Sequence, residues 1–313
     1  MAALHVAADE LDFYRYVWPV TSMIDGPHSY PIDRAYPKDR ETLDREYSPS
    51  LLVDSMGDYL AAYGQRSAAA RKQLSGRLKI GMKYGPDVRH RLDYFATDHA
   101  GGPLVIFFHG GFWSALDESS FSFPAPTFLD AGVNYASVTY RLAPYASLTD
   151  IVSDAHLALA WLRAQAPEFG FDPAQIVVAG HSAGAHLASM LMIGEDALKG
   201  ALLVSGVYDL EPVRQSYVND TVSMDETEAH ANSPAFLLPS ASIGTHIAVG
   251  AIETNEFKRQ SHLLYDSWSQ RLPACSINEY PGRDHFDILF DLSDPTSTIF
   301  GETLNLLKGS AQK

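Results

Sequence analysis

The sequence has a single cysteine, Cys275, among 313 residues, which excludes an intramolecular disulfide scaffold. Basic residues are also few: the chain has 23 Lys and Arg and 38 Asp and Glu, which gives a formal net charge of −15. This balance repels phosphate backbones and anionic membrane surfaces, so neither nucleic acid nor a membrane is expected as a partner. Metal-binding spacings such as C-x-x-C and H-E-x-x-H are absent, as are internal repeats.

Long hydrophobic runs are missing as well. The longest apolar stretches, such as Leu104–Phe108, are far shorter than the roughly 18 residues needed to span a bilayer. Asp9 and Glu10 lie where the apolar core of a secretory signal would be. Hydrophobic residues nevertheless make up 46% of the chain, enough to fill a core at this length. These features predict a reduced, globular, cytoplasmic protein, and they leave open whether it forms a homodimer.

Short β-branched or aromatic runs alternate with helical stretches from about Arg89 onward. Apolar residues recur at helical spacing in Leu148–Leu162, Ala183–Met192 and Phe257–Trp268. Strands alternating with helices predict an α/β fold with a mostly parallel sheet, in which the first strands are antiparallel. The predicted strands are Arg89–Thr97, Leu104–His109, Tyr135–Arg141, Ile176–Gly180, Gly200–Val207, His246–Gly250 and Ser276–Tyr280.

Two segments differ from this pattern. Residues 1–85 are rich in Tyr, Pro, Asp and Arg and show helical periodicity only from about Leu51 to Leu78. Residues 209–242 have weak periodicity and are too long for an ordinary loop between a strand and a helix. We therefore predict a catalytic domain over residues 86–313 with a cap insertion at about 209–242, and an N-terminal extension, residues 1–85, that contributes to the cap.

The pentapeptide Gly180-His181-Ser182-Ala183-Gly184 has the G-x-S-x-G pattern. It follows a predicted strand and opens a predicted helix, which is the context that this motif requires. A serine on such a sharp turn adopts a strained backbone, and only small neighbours let the two arms of the turn approach each other. The new helix also directs its N-terminal N–H groups at the reacting centre. Ser182 is therefore the predicted nucleophile.

A second motif, His109-Gly110-Gly111-Phe112-Trp113, directly follows the strand that begins at Leu104. In α/β-hydrolases, which carry both motifs in this order, a loop of this type supplies backbone N–H groups to an oxyanion hole. Glycine is favoured there because the backbone itself must approach the substrate. We predict that the N–H groups of Gly111, Phe112 and Ala183 form this hole.

A nucleophilic serine needs a base and an orienting acid, which follow it in this fold in the order serine, acid, histidine. His285 lies in the loop after the last predicted strand, whereas His230, His246 and His262 fall in the cap, a strand and a helix. His285 is therefore the predicted base. The acid should follow the preceding strand, where Glu253 lies three residues beyond Gly250. Asp209, after the strand Gly200–Val207, remains the alternative.

These residues together resemble the serine-dependent kynurenine formamidase (arylformamidase) branch of the α/β-hydrolases. The resemblance covers about four-fifths of the chain and extends to Tyr47-Ser48-Pro49 and Tyr84-Gly85 in the N-terminal part. By position, the catalytic serine, acid and histidine of that family fall on Ser182, Glu253 and His285, although its members generally carry aspartate at the acid position. The other matching segments are Tyr140-Arg-Leu-Ala-Pro, Phe257-Lys-Arg-Gln-Ser and Asp284-His285-Phe286.

The resemblance implies hydrolysis of an aryl amide or aryl ester through an acyl-enzyme, without a metal or an organic cofactor. The expected partner is a small aromatic amide or ester substrate. Two alternatives remain: a general carboxylesterase or carbamate hydrolase with the same machinery, and a non-catalytic binding module, which should have lost a triad member. The side chains expected to bind the aromatic substrate are those of Phe112, Trp113 and Tyr208, with Tyr14, Tyr16 and Trp18 from the N-terminal part.

Overall fold

The apolar runs of the sequence form the strands of one mixed sheet. The computed structural model describes residues 36–195, 197–239 and 243–308. Within these residues the sheet has eight strands in the order β1-β2-β4-β3-β5-β6-β7-β8. The strands are β1 (Leu78–Lys83), β2 (Arg91–Phe95), β3 (Gly102–Phe108), β4 (Asn134–Val138), β5 (Phe171–His181), β6 (Gly200–Val204), β7 (Gly244–Gly250) and β8 (Cys275–Tyr280).

The direction of the strands follows from their connections. β1 and β2 are joined by a short loop, and β1 pairs antiparallel with β2, which pairs antiparallel with β4. All neighbours from β4 to β8 are parallel. The predicted α/β-hydrolase fold with antiparallel first strands is confirmed. Since parallel strands end at the same edge, the carboxyl ends of β3, β5, β6 and β7 meet there.

Helices cover both faces of the sheet. The helix Leu148–Phe169, α4, is capped at both ends. Ser147 and Asp150 form a reciprocal capping box at its start, and Gly170 adopts the left-handed conformation, with φ 76°, at its end. The three predicted helical stretches are confirmed by α4, α5 and α9. The α-helices of the described residues are α1 (Arg40–Glu46), α2 (Met56–Gln73), α3 (Ala125–Asp130), α4 (Leu148–Phe169), α5 (Ala183–Leu191), α6 (Leu210–Arg214), α7 (Asn219–Val222), α8 (Glu226–Ala231), α9 (Asn255–Ser269) and α10 (Thr298–Lys308).

The hydrophobic core has two layers, one on each face of the sheet. In β3, Leu104, Ile106 and Phe108 belong to the layer that contacts α4, α5 and α9. Their neighbours Val105 and Phe107 belong to the opposite layer, beside α3 and α10. Because successive side chains of a strand alternate between the two faces, a strand buried on both sides reads as a continuous apolar run. Of the described helices, none is long and apolar enough to cross a membrane.

The sequence prediction missed β1. Helical periodicity was expected to continue to Leu78, but α2 ends at Gln73 and the chain then forms an edge strand. Ile80 is 61% exposed, and Gly81 adopts a positive φ of 63° at an irregularity of the pairing with β2. An edge strand with lysines and an exposed apolar side chain lacks the clear alternation that identifies a half-buried strand.

Residues from the predicted cap insertion and the predicted N-terminal extension contact each other. Between β6 and β7 the chain forms α6, α7, α8 and a 3₁₀ turn at Pro234–Phe236. The backbone N–H of Tyr217 donates to Asp44 Oδ1 of α1 at 2.6 Å, and the Tyr217 hydroxyl donates to the carbonyl of Tyr47 at 3.1 Å. An exposed ion pair joins Arg40 to Asp220.

Candidate active site

Ser182 lies at the sharp turn between β5 and α5, with φ 55° and ψ −121°. Both glycines of the motif are required by close backbone approach. A Cβ atom on Gly180 would lie 2.1 Å from the carbonyl oxygen of Gly184, and one on Gly184 would lie 2.0 Å from that of Phe108. A non-glycine residue in this backbone conformation is strained, and such strain concentrates at functional sites. The turn places the serine at the carboxyl edge of the sheet.

The glycine-rich loop after β3 faces this turn. Gly111, Phe112 and Trp113 all have positive φ values, of 105°, 45° and 55°. A Cβ on Gly110 would lie 3.1 Å from the Cβ of Ser182, so the loop and the serine turn are in contact. Within the part of the chain that the structure describes, the N–H groups of Gly111, Phe112 and Ala183 donate no hydrogen bond. These three backbone donors, one in the serine turn and two in the loop that faces it, are therefore available to bind an oxyanion.

His285 and Glu253 are brought together from the loops after β8 and β7. The Nδ1–H of His285 donates to Glu253 Oε2 at 2.7 Å, and each residue is 5% exposed. The other carboxylate oxygen, Oε1, accepts from the N–H of Gly250 at 2.7 Å and from the hydroxyl of Ser205 at 2.5 Å. The buried carboxylate thus has a hydrogen-bond donor on each oxygen, as a buried charge requires.

The alternative acid, Asp209, has a different environment. It caps α6 by accepting from the N–H of Glu211 at 3.3 Å, and its Oδ2 lies 3.5 Å from Arg259 Nη2. Burial raises the pKa of Asp209, against the opposing effect of the Arg259 guanidinium. Among the described residues, the carboxylate that contacts His285 is that of Glu253 and not that of Asp209.

Two further histidines support the site. The Nε2–H of His181 donates to the backbone carbonyl of His285 at 2.8 Å, which fixes the loop that carries the predicted base. Burial lowers the pKa of His181 well below its usual range, so this ring is neutral and acts as a donor. His186 donates to the carbonyl of Asn232 at 2.8 Å, and burial lowers its pKa to about 4. Both histidines thus hold backbone segments around the site.

The aromatic residues predicted to bind substrate are placed differently from one another. Phe112 is partly exposed, whereas Trp113 and Tyr208 are fully buried. The indole of Trp113 packs edge-on against His186 with 5.1 Å between ring centroids. Trp113 and Tyr208 thus have core contacts here, and their role in substrate binding stays a prediction. The other three aromatic residues, Tyr14, Tyr16 and Trp18, lie outside the described residues.

Two aromatic residues that the sequence did not assign to the site lie beside it. The ring of Phe257, in the first turn of α9, is 4.4 Å from that of His285. The ring centroid of Phe112 lies 6.5 Å from that of Phe257 and 6.4 Å from that of Tyr217. Tyr217 is 38% exposed. Phe257 lies four residues after Glu253 in the sequence, and this short separation could have indicated that it lies beside the site. Tyr217 lies in the irregular cap, where no local pattern identifies it.

A cleft of about 350 Å³ opens next to Glu253. It lies between the end of α1, a 3₁₀ turn that includes Leu51 and Leu52, and the start of α9. These two leucines are 66% and 47% exposed, so one wall of the cleft is apolar. The cleft is lined by Arg45, Glu46, Leu51, Leu52, Glu253, Thr254 and Asn255.

Within residues 36–195, 197–239 and 243–308, no group of His, Cys, Asp or Glu is arranged to hold a metal ion.

Two further residues with reactive or charged side chains have structural roles. Arg141 forms an ion pair with Asp154, with 2.7 Å between Nη2 and Oδ1. Cys275 is the first residue of β8, and burial raises the pKa of its thiol to about 12. A thiol with so high a pKa is a poor nucleophile at neutral pH.

A strained serine between a parallel strand and a helix, faced by a glycine-rich loop at the same sheet edge, defines an α/β-hydrolase. The BD-FAE family model matches residues 92–231. Kynurenine formamidase from Danio rerio is 30% identical over 273 residues, which cover 82% of this chain and 92% of that protein. The Salmo salar kynurenine formamidase is 29% identical over 274 residues, with the same coverage of 82% and 92%. The chain belongs to the kynurenine formamidase family, and it is a hydrolase of the type that cleaves amides or esters.

Solved structures have the same architecture. The crystal structure of a candidate thioesterase from Silicibacter sp. is 27% identical with a TM-score of 0.76, covering 83% of this chain and 97% of that one. An esterase from Pyrobaculum calidifontis is 18% identical with a TM-score of 0.64, covering 86% of this chain and 97% of that one. At that identity the esterase supports the fold alone.

Proposed function

We propose that the chain is a serine hydrolase that cleaves an aryl amide, such as an N-formyl or N-acyl arylamine, or an aryl ester. The observation that carries the proposal is the contact of His285 with Glu253 at the sheet edge where Ser182 lies, beside three free N–H groups. The kynurenine formamidase relatives support an amide on an aromatic ring as the substrate.

The residues of the site take the following roles in the proposed mechanism. His285 removes the proton of the Ser182 hydroxyl while the Ser182 oxygen attacks the acyl carbon, and Glu253 holds the imidazole tautomer and stabilises the imidazolium. The N–H groups of Gly111, Phe112 and Ala183 bind the oxyanion of the tetrahedral intermediate. Loss of one such donor typically costs about 2.7–4 kcal/mol. His285 then protonates the leaving amine, and water hydrolyses the acyl-enzyme with His285 again as base.

The predicted cap covers this site. Tyr217 of the cap segment contacts Phe112, and its backbone is tied to α1 through Asp44. Residues 209–239 and α1 thus act as one cover over the sheet edge. Burial of Ser182 and His285, which are 3% and 5% exposed, supports this assignment, because exclusion of water strengthens the electrostatic interactions of the intermediate.

The preference for an aryl substrate can be measured directly. We expect formanilide-type and acetanilide-type substrates to be cleaved with a kcat/KM at least about tenfold above that of a medium-chain alkyl ester. An aryl ring weakens amide resonance and supplies binding energy away from the scissile bond. Phenyl acetate should also react, because its leaving group is easier. Brisk alkyl-ester hydrolysis without detectable anilide turnover would instead favour the general carboxylesterase.

The aromatic wall provides a second test. Tyr217→Ala should lower kcat/KM for an anilide about tenfold and leave a short alkyl ester almost unchanged, because an aromatic pair contributes about 0.5–1.5 kcal/mol. Tyr217→Phe keeps the ring but removes the hydrogen bond to Tyr47, so it should retain the anilide activity. Tyr145→Ala, at a 94% exposed tyrosine, is the matched control. Equal losses in the Phe and Ala variants would assign the effect to the cap contact rather than to the ring.

A further inference from the structure

Ser205 occupies a strained position directly after β6. It is fully buried and has a φ of 51°, a left-handed conformation that a residue with a Cβ adopts only at a cost. Its N–H donates to the carbonyl of Ala248 in β7 at 2.7 Å, which ties the end of β6 to the neighbouring strand. Gly206 follows immediately, yet the strained position itself holds a serine.

The hydroxyl of this serine contacts the proposed catalytic acid. Ser205 Oγ donates to Glu253 Oε1 at 2.5 Å, and the N–H of Gly250 donates to the same oxygen at 2.7 Å. Two donors therefore occupy Oε1. The remaining oxygen, Oε2, is the one that accepts from His285 at 2.7 Å. Oε1 is thus held by two donors, and Oε2 is the oxygen directed at the histidine.

A glutamate needs this restraint more than an aspartate does. Its side chain has one more rotatable bond, so its carboxylate loses more conformational freedom when it is held in one orientation. A hydrogen bond from a neutral donor to a charged acceptor is among the stronger ones in proteins. We propose that Ser205 is a positioning residue that holds Glu253 in the orientation in which Oε2 accepts from His285. This proposal rests on the triad assigned above.

The first experiment is Ser205→Ala, assayed with a formanilide-type substrate. We expect kcat to fall about tenfold or more, because a lost hydrogen bond to a charged group corresponds to at least about a tenfold change. KM should stay within about twofold, because the hydroxyl touches the acid rather than the substrate. Ser137→Ala removes another fully buried hydroxyl, one that donates to the carbonyl of Glu118, and should leave kcat unchanged. A change in KM with an unchanged kcat would overturn the proposal.

Ser205→Gly separates the hydroxyl from the backbone turn. Glycine adopts a positive φ without strain, so this variant keeps the turn and lacks only the side chain. A positioning role predicts that it is as impaired in kcat as the alanine variant, with a far-ultraviolet circular dichroism spectrum like that of the unmodified protein. Full activity of the glycine variant would mean that position 205 serves the turn alone, and the proposal would be wrong.

A double-mutant cycle with Glu253→Gln tests whether Ser205 acts through the acid. If it does, Ser205→Ala should cost little further kcat in the Glu253→Gln background, whereas independent effects would multiply and overturn the proposal. Labelling of Ser182 by a fluorophosphonate distinguishes the two proposals. No labelling of the unmodified protein would contradict the serine mechanism itself. Labelling together with unchanged kcat in both Ser205 variants would overturn the positioning role alone.

Discussion

Ser182→Ala should reduce kcat by about six orders of magnitude, the loss seen when a nucleophilic serine is removed from a comparable triad. The variant has no oxygen with which to form an acyl-enzyme, so only binding and the oxyanion donors remain. Alanine at φ 55° is as strained as serine, so the turn and the fold should persist with little change in melting temperature. Steady-state kinetics with an anilide and with phenyl acetate, together with mass spectrometry of the enzyme, measure both consequences.

Ser189→Ala is the matched control for this loss. Ser189 lies in the same helix, α5, is fully buried and donates to the carbonyl of His186 at 2.7 Å. Removing its hydroxyl should cost some stability but keep turnover within a few-fold of the unmodified protein. Covalent acyl-enzyme detected in Ser182→Ala would show that another residue is the nucleophile.

The sheet was predictable where strands are buried on both faces. In β3 every position from Leu104 to Phe108 is packed against one core layer or the other, so the whole strand is apolar and visible in the sequence. The edge strand β1 was not visible, because among the described strands it pairs with β2 alone, and because its exposed Ile80 breaks the alternation. The helical signal before it belongs to α2, which ends five residues earlier than the pattern indicated.

The candidate site was predictable to the extent that local sequence or chain order encodes it. The turn around Ser182 depends on glycines that adjoin it, so its signal is a short motif. The positions of Glu253 and His285 follow from the rule that parallel strands end at one edge, since β7 and β8 are neighbours. Ser205 and Tyr217 reach the site through tertiary contacts, with Glu253 and with Phe112, and no spacing in the sequence encodes such contacts.

Glu253→Gln should lower kcat by about four orders of magnitude, the cost of the corresponding acid-to-amide change in a serine protease. The hydrogen bonds around this side chain determine the outcome. The N–H of Gly250 and the hydroxyl of Ser205 both donate to Oε1, so the amide oxygen of glutamine should take that place. The amide nitrogen would then face His285 Nδ1 and donate to it. This favours the tautomer that carries its proton on Nε2, which cannot accept the proton of Ser182.

The comparison that decides the acid is Asp209→Asn. Asparagine retains an oxygen that can cap α6, and the variant loses only a long contact with Arg259, so kcat should change less than about tenfold. Both variants replace a buried carboxylate by an amide of nearly the same shape, and therefore differ chiefly in whether the carboxylate contacts His285. The kcat of both with an anilide, measured at the same pH, gives the result. A large loss in Asp209→Asn with a mild one in Glu253→Gln would move the acid to Asp209 and would require a different arrangement of the loops after β6 and β7 during turnover.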